Sequence, residues 1–191
     1  MDFVTIDFET GQYARESACA VGLAKYQQGK VVDTFYSLIC PPVLYIRPDF
    51  TAIHGLTLED VQDAPRFEEL WESQIQPFMA GFPVAAHNAP FDMGVLRAVL
   101  AWYDLAAPRF SYFCTLALAR HTWPDLASHK LTFLGSTFGI DYAAHNALAD
   151  AQVCGDVVCR AAKHQGSKNL KELLHATGIG MSTFVSSGAG T

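Results

Sequence analysis

Two carboxylates stand side by side on a segment whose pattern predicts a strand. Residues 3–9 alternate in side-chain character, and the turn-like Thr10-Gly11 follows them. Side chains of a strand alternate between its two faces, so Asp7 and Glu9 point the same way. On a buried strand the two charges would repel each other and lose hydration, and a divalent cation would offset that cost. The alternative is an exposed acidic face on an edge strand.

Two further acids and a histidine stand at the starts of predicted helices. Asp92 follows Pro90, a residue that suits the first helical turn. An acid at that place alternatively matches the helix dipole. Asp150 lies inside a helix that begins near Ala147, and His145 precedes this helix, so the histidine is able to fold back toward Asp150. A capping or surface role is the alternative for His145.

Taken together, these five residues favour metal chemistry. Carboxylate oxygens are the ligands that hard cations such as Mg²⁺ and Mn²⁺ prefer. The sequence contains no Cys/His cluster with zinc spacing, no G-x-x-x-x-G-K-[ST] loop and no G-x-S-x-G segment. The predicted metal ligands are therefore Asp7, Glu9, Asp92 and Asp150.

An ordered series of strands and helices must position these side chains. Strands are predicted at residues 3–9, 19–26, 31–39, 83–86 and 110–114. The prolines at 41, 42 and 48 predict an irregular stretch after the third strand. Helical spacing and capping signals predict helices at residues 57–60, 66–79, 91–105, 116–121, 131–138, 147–162 and 168–175. The order indicates an α/β domain, with a mixed sheet flanked by helices.

Composition limits the class of protein. The chain has 191 residues, half of them hydrophobic, and a formal charge of −6, which suits one domain and excludes wholesale disorder. No apolar run approaches the ~20 residues of a membrane-spanning helix, and the first residues do not resemble a signal peptide. Five cysteines without a C-x-x-C pair predict a reducing cytoplasm. Residues 1–177 are predicted to form the domain, and residues 178–191 a flexible Gly/Ser-rich tail or linker.

Three segments together resemble the exonuclease motifs of the DEDDh family, which includes proofreading subunits of bacterial replicative DNA polymerases. They are residues 6–10 (IDFET), 87–92 (HNAPFD) and 145–150 (HNALAD). Residues 52–57 also resemble a substrate-contacting loop of the family, and the likeness covers about residues 1–175. It implies a ribonuclease-H-like fold with a five-stranded mixed sheet between helices.

The resemblance implies a metal-dependent 3′–5′ exonuclease that releases nucleoside 5′-monophosphates from the 3′ end of nucleic acid, with DNA favoured. Two divalent cations, Mg²⁺ or Mn²⁺, would bridge the scissile phosphate. Asp7 would hold both cations, Glu9 and Asp150 would complete one site, and Asp92 would serve the other. His145 would act as general base, because histidine accepts a proton near neutral pH.

The same resemblance suggests residues that meet the substrate, a single-stranded 3′ end. They are Phe8, Thr10, His54, Leu56, Asn88 and Phe91. A core position is the alternative for Phe8 and for Phe91. Lys130, Arg120 and His129 either meet phosphates or are scattered surface charges. A DNA polymerase, or a second domain beyond the tail, is a further expected partner, and no membrane is expected.

Two other functions stay open at this point. One is an RNA-directed 3′–5′ exoribonuclease, because the metal chemistry acts on the phosphate and does not read the sugar. The other is a catalytically idle nucleic-acid-binding module on the same fold. The presence of His145 argues against the idle module, since a pure binder has no use for a general base.

Overall fold

A computed structural model describes residues 1–106 and 109–185. Its centre is a six-stranded mixed sheet in the order β3-β2-β1-β4-β5-β6. Strands β1 to β3 pair antiparallel in sequence order, β4 adds parallel to β1, and β5 adds parallel to β4. The strands are β1 Phe3–Thr10, β2 Ala18–Gln27, β3 Lys30–Leu38, β4 Val84–Ala86, β5 Phe110–Cys114 and β6 Ser182–Phe184. The mixed sheet flanked by helices is confirmed.

Helices cover the sheet at positions close to the predicted ones. They are α1 Pro48–His54, α2 Leu58–Val61, α3 Phe67–Leu70, α4 Gln76–Met79, α5 Ala89–Trp102, α6 Thr115–Thr122, α7 Leu131–Thr137, α8 Ala147–Gln165 and α9 Leu170–Ala176. Two details differ from the prediction. A π-helical turn, Trp71–Ile75, joins α3 to α4. Helix α1 occupies part of the stretch predicted to be irregular, because Pro48 starts this helix instead of preventing it.

The sixth strand corrects the prediction of five strands. Strand β6 lies in the segment predicted to be a flexible tail, and it pairs antiparallel with β5. Phe184 is fully buried and stacks on Phe110 with ring centroids 4.8 Å apart. One buried aromatic ring thus outweighs the Gly- and Ser-rich composition around it, since burying it removes a large apolar area from water. The remaining tail, residues 186–191, falls outside the described residues.

Helix α8 lies directly on the sheet and brings its first turn close to β1. Gly22 of β2 leaves no room for a side chain, because a Cβ there would lie 2.2 Å from the Ala147 backbone carbon. Gly155 makes a similar close contact with the ring of Tyr26. These two glycines let the helix approach the strands closely, and Asp150 on its first turn thereby faces the central strand.

No helix in the described part of the chain is long and apolar enough to span a membrane.

Candidate active site

The two acids of β1 lie on a central strand. Strand β1 is flanked by β2 on one side and β4 on the other, so the edge-strand alternative is wrong. Asp7 pairs with Gly22 and Glu9 pairs with Ala20 across the β1–β2 ladder, and both carboxylates are partly buried. The register shifts just after Glu9, where the strand is ending. The strand therefore places two like charges at its carboxyl end on one face.

Asp92 approaches this strand from the start of α5. Asn88 precedes the helix in the left-handed conformation (φ 69°, ψ 50°), and this turns the chain sharply out of β4. Asp92 is 1% exposed, and the backbone N–H of Phe8 donates to its Oδ1 at 3.1 Å. Its Oδ2 is buried and has no hydrogen-bond partner among the described residues. A buried carboxylate oxygen without a partner requires a proton or a cation.

The third motif brings His145 and Asp150 together with Glu9. His145 is exposed and left-handed (φ 63°), and the side chain of Asn146 accepts from the N–H of Ala149 to cap α8. Ligand atoms of Glu9, His145 and Asp150 all lie within 4.8 Å of one another. The histidine thus folds back toward Asp150, as the position ahead of the helix predicts.

Electrostatics set this cluster apart from ordinary surface acids. Burial, followed by repulsion from the three neighbouring carboxylates, raises the pKa of Asp7 well above its usual range. Burial and then the charge of Asp150 raise the pKa of Glu9 to about 8. Burial raises the pKa of Asp92 to about 8 despite the hydrogen bond from Phe8, and it also raises the pKa of Asp150. The raised pKa values of the four acids thus favour the binding of protons or of cations to the cluster.

The donor set fits divalent cations. Four carboxylates and one imidazole are suitable ligands for Mg²⁺ or Mn²⁺, and the unpartnered Oδ2 of Asp92 is an acceptor that the protein itself leaves open. Asp7, Glu9, Asp92 and Asp150 are the residues that would hold such ions.

The cluster lies on one wall of an open groove of about 810 Å³. Asp7, Glu9, His145 and Asp150 line this wall. A second part of the lining, which we name the facing wall, consists of Arg120 of α6 and residues 127–132, ahead of and within the start of α7. Carboxylates and basic side chains thus line the same groove.

The groove includes three of the predicted substrate residues. Asn88 and Phe91 line it, and Phe91 is 37% exposed, so the core alternative for Phe91 is wrong. Phe8 lines it near the carboxylates, yet its side chain is buried and packs against Phe67 with ring centroids 6.4 Å apart. The Phe8 ring is therefore a core group, and its backbone is the part that faces the site.

The other three form a small hydrogen-bonded group beside Glu9. His54 Nδ1 accepts from the Leu56 N–H at 3.1 Å, so its Nε2 carries the hydrogen and donates to the Thr10 carbonyl at 3.2 Å. Burial lowers the pKa of His54. These residues are not among the lining of the groove, and substrate contact by them stays a prediction.

Sequence reasoning undervalued the facing wall. The sequence leaves phosphate contact and scattered surface charge as alternatives for Arg120, His129 and Lys130, and the fold gathers all three along the groove. Tyr142 was missed entirely: its hydroxyl is buried near the Asp150 carboxyl, outside hydrogen-bonding geometry. The signal available in the sequence was the position of Lys130, which stands directly before α7 and within the part of the chain that the family resemblance covers.

Comparison with known proteins assigns the chain to a family. The model of the exonuclease family (RNase_T) matches residues 4–158. The chain belongs to this family of exonucleases. It is 31% identical to the DNA polymerase III subunit epsilon of Treponema pallidum over 179 residues, which is 91% of this chain and 82% of that protein. It is 29% identical over 159 residues to the PolC-type DNA polymerase III of Caldanaerobacter subterraneus subsp. tengcongensis, covering 82% of this chain but only 11% of that protein.

Solved structures share the fold. Exonuclease X in complex with 5′ overhanging duplex DNA matches with a TM-score of 0.72 and 23% identity, over 92% of this chain and 99% of that one. The nuclease domain of 3′hExo, a DEDDh family member bound to rAMP, matches with a TM-score of 0.73 and 16% identity, over 85% of this chain and 92% of that one.

Proposed function

We propose that the protein is a metal-dependent 3′–5′ exonuclease that releases nucleoside 5′-monophosphates from the 3′ end of a single DNA strand. The observation that carries the proposal is the four-carboxylate cluster with His145 at its edge, on one wall of an open groove. The unpartnered oxygen of Asp92 and the raised pKa values indicate that this cluster is built to hold cations.

The carboxylates divide the work of holding two cations. Asp7 is central, because the charges of Asp92, Asp150 and Glu9 all act on it, and it is the residue suited to hold both ions. Glu9 and Asp150, which lie close together, would complete one site, and Asp92 would serve the other. Two divalent cations about 3.5–4 Å apart stabilise the attacking and leaving oxygens of a phosphodiester in line.

His145 is proposed as the general base. Its ring is exposed on the groove wall and lies beside Glu9 and Asp150, which would hold one cation. A histidine at this place takes the proton from the attacking water and returns it to solvent. The same distances allow His145 to act as a ligand instead, so metal affinity in a His145 variant must be measured beside the rate.

The preference for DNA is supported by relatives rather than by a contact. The relatives named above are subunits or forms of DNA polymerase III, and we propose by analogy that this chain acts on DNA and works beside a polymerase. The chain covers about a tenth of the PolC-type relatives, so their other activities do not transfer to it. All five cysteines are free, which supports a reducing cytoplasm.

The decisive experiment compares matched substrates labelled at the 5′ end. Single-stranded DNA, duplex DNA and RNA of one sequence are incubated with and without Mg²⁺, with Asp7→Asn as the inactive control. Stepwise shortening that needs Mg²⁺, fastest on single-stranded DNA and slowed by a 3′-terminal phosphate, is the expected result. Faster loss of RNA would assign an exoribonuclease. Internal cuts in a closed circular strand would contradict action from an end.

A further inference from the structure

The first residue of the second motif, His87, has no part in the proposed chemistry and yet makes a specific contact with each of its ring nitrogens. It is partly buried at the end of β4, where it lines the groove. Its Nε2 lies 2.9 Å from the carbonyl oxygen of His129. Because a carbonyl only accepts, Nε2 carries the hydrogen and donates. In the neutral ring Nδ1 is then an acceptor, and the Thr115 hydroxyl lies 3.0 Å from it.

Thr115 continues this arrangement into the core. Its side chain is fully buried, and its 3.0 Å contact with Nδ1 is shorter than its 3.4 Å contact with the Ala86 carbonyl. The hydroxyl hydrogen is therefore directed at the imidazole. The hydroxyl oxygen remains an acceptor for the thiol of Cys154, at 3.3 Å. Burial lowers the pKa of His87 to about 4, so the ring is neutral at pH 7 and keeps this one tautomer.

At the other end of this hydrogen-bond network, His87 contacts the facing wall of the groove through the carbonyl oxygen of His129. Residues 123–130 join α6 to α7 without a helix or strand of their own. The segment makes a local backbone bond from Leu126 to Trp123, and the His129 ring donates to the Trp123 carbonyl at 2.8 Å. The hydrogen bond from His87 anchors this segment to a part of the chain that is distant in sequence. It is made at His129, one residue before Lys130.

The wall carries cations that the protein itself does not pair. Lys130 and Arg120 are exposed at the groove, and neither forms an ion pair within residues 1–106 and 109–185. They share the groove with the carboxylates, in a protein of net charge −6. The net negative charge repels a polyanion, so these two cations in the groove are suited to bind its phosphates.

We propose that His87 is a positioning residue for the substrate: it fixes residues 127–130 so that Lys130, together with Arg120 of the same groove lining, binds a backbone phosphate of the strand. This proposal rests on the proposed function, since it takes a nucleic-acid strand as the occupant of the groove. The second motif then has two functions: Asp92 would hold a cation, and His87 positions the facing wall, which binds phosphate.

A matched pair of substitutions tests the hydrogen bond from His87 to His129. In His87→Gln the side-chain amide can place an N–H where Nε2 stands, whereas in His87→Asn the shorter amide reaches only the place of Nδ1. Binding is measured by fluorescence anisotropy on a 5′-labelled single DNA strand whose 3′-terminal linkage is a methylphosphonate, so that it is read without turnover. We expect His87→Asn to raise Kd about 3–10-fold, the factor of one neutral hydrogen bond, and His87→Gln to restore most of the affinity.

A second measurement tests whether His87 acts through the facing wall. Lys130→Met should raise Kd and lower the slope of log Kd against log salt by about 0.7, the value for one phosphate contact on a single strand. If His87 acts through this wall, adding His87→Asn to Lys130→Met should change Kd far less than it does alone. With the normal strand, His87→Asn should raise KM and leave kcat within about twofold, and Mg²⁺ affinity should not change.

Several results would overturn the proposal. An unchanged Kd in His87→Asn, equal damage by both substitutions, or full additivity with Lys130→Met would each contradict it. Should His87→Asn fail to fold, nitrogen-15 NMR of the wild-type ring decides: a neutral ring protonated at Nε2 at pH 6 supports this hydrogen bond, and the other tautomer refutes it. If the wild type hydrolyses no strand, the proposed function fails, whereas the Kd comparison still decides the role of His87.

Discussion

Two polar centres lie at the groove, and they differ in whether their polar atoms have hydrogen-bond partners within the protein. Around Asp92, carboxylates crowd together, burial raises their pKa values, and one buried oxygen has no partner in the described chain. Around His87, a neutral ring has a partner at both nitrogens, and the Thr115 hydroxyl behind it is also bonded. A buried polar atom without a hydrogen-bond partner indicates a site for a ligand, whereas a network in which every polar atom has a partner indicates a positioning role.

The largest effect is expected when the carboxylate centre loses its central member. Asp7→Ala should lower hydrolysis at saturating Mg²⁺ by about 10⁴-fold or more, because both cations would lose a ligand and with it several kcal/mol of transition-state stabilisation. Stepwise degradation of a 5′-labelled strand measures this. Asp63→Ala, at an exposed acid outside the groove lining, is the control and should remain fully active. Hydrolysis within tenfold of wild type in Asp7→Ala would disprove a two-cation site.

Next in size is the loss of the general base. His145→Ala should reduce kcat by about 10²–10⁴-fold, the usual contribution of general base catalysis, while Mg²⁺ affinity changes little because the four carboxylates remain. Rates at saturating Mg²⁺ and calorimetric titration of the metal measure the two quantities. His121→Ala, at an exposed histidine of α6, serves as the control. If metal affinity falls strongly and the rate at saturating metal does not, His145 is a ligand.

The pH dependence of stability tests the carboxylate centre without any substrate. Glu9 and Asp92 have folded-state pKa values of about 8, above the ~4 of an unfolded acid. Between about pH 4 and 8 the folded protein therefore binds more protons than the unfolded chain. The free energy of unfolding consequently decreases as the pH rises through this range. With a chelator present, the melting temperature should fall by about 5 °C or more from pH 5.5 to pH 8.5. Saturating Mg²⁺ should remove most of this fall, and an equal fall with Mg²⁺ would show that the carboxylates do not share a metal site.

A smaller shift is expected when one charge of the cluster is neutralised. Asp92→Asn should keep or raise the melting temperature of the metal-free protein at pH 8, because it relieves repulsion. It should also reduce the stabilisation that Mg²⁺ gives to the wild type, since a ligand stabilises in proportion to its binding to the folded state. Thermal melts of both proteins, with chelator and with Mg²⁺, measure the two effects. A metal-free melting temperature lowered by several degrees would instead make Asp92 a structural helix acid.

The satisfied centre should respond in stability rather than in rate. Thr115→Val keeps the shape of a fully buried side chain and leaves His87 Nδ1 without a donor. We expect a loss of about 1–2 kcal/mol of unfolding free energy and a kcat within about twofold of wild type. Chemical denaturation and steady-state kinetics measure these, with Thr115→Ser as the variant that retains the hydroxyl. A large fall in kcat would move this centre into the chemistry.

Much of the molecule could be predicted because its signals are local. Each signal lies within about ten residues: the alternation on β1, the helical spacing on α8 and the acids at fixed places in short motifs. The motifs also indicated which residues come together at the site. Strand β6 was missed because its pairing depends on one ring, Phe184, which finds Phe110 far away in sequence. Helix α1 differs from the prediction because Pro48, of a residue type that usually ends a helix, stands at the start of this one.

The site shows the same division between local and distant signals. The carboxylates come from motifs, whereas the facing wall depends on a hydrogen bond between His87 and His129, 42 positions apart. No periodicity or composition in the segment before α7 reports such a contact. Phe8 shows a finer limit, since the sequence left a core position open as an alternative for its ring, and only the packing of that ring against Phe67 decides for the core.

The left-handed backbone at His145 has a consequence for how this enzyme could be improved. A residue other than glycine at φ 63° is strained by about 1 kcal/mol, and glycine would adopt that conformation freely. Selection for heat resistance alone would thus favour His145→Gly, a change that removes the proposed base. With His145 as the proposed base, thermostability and turnover are opposed at this single position, so a stabilised variant should be sought by changes elsewhere in the chain.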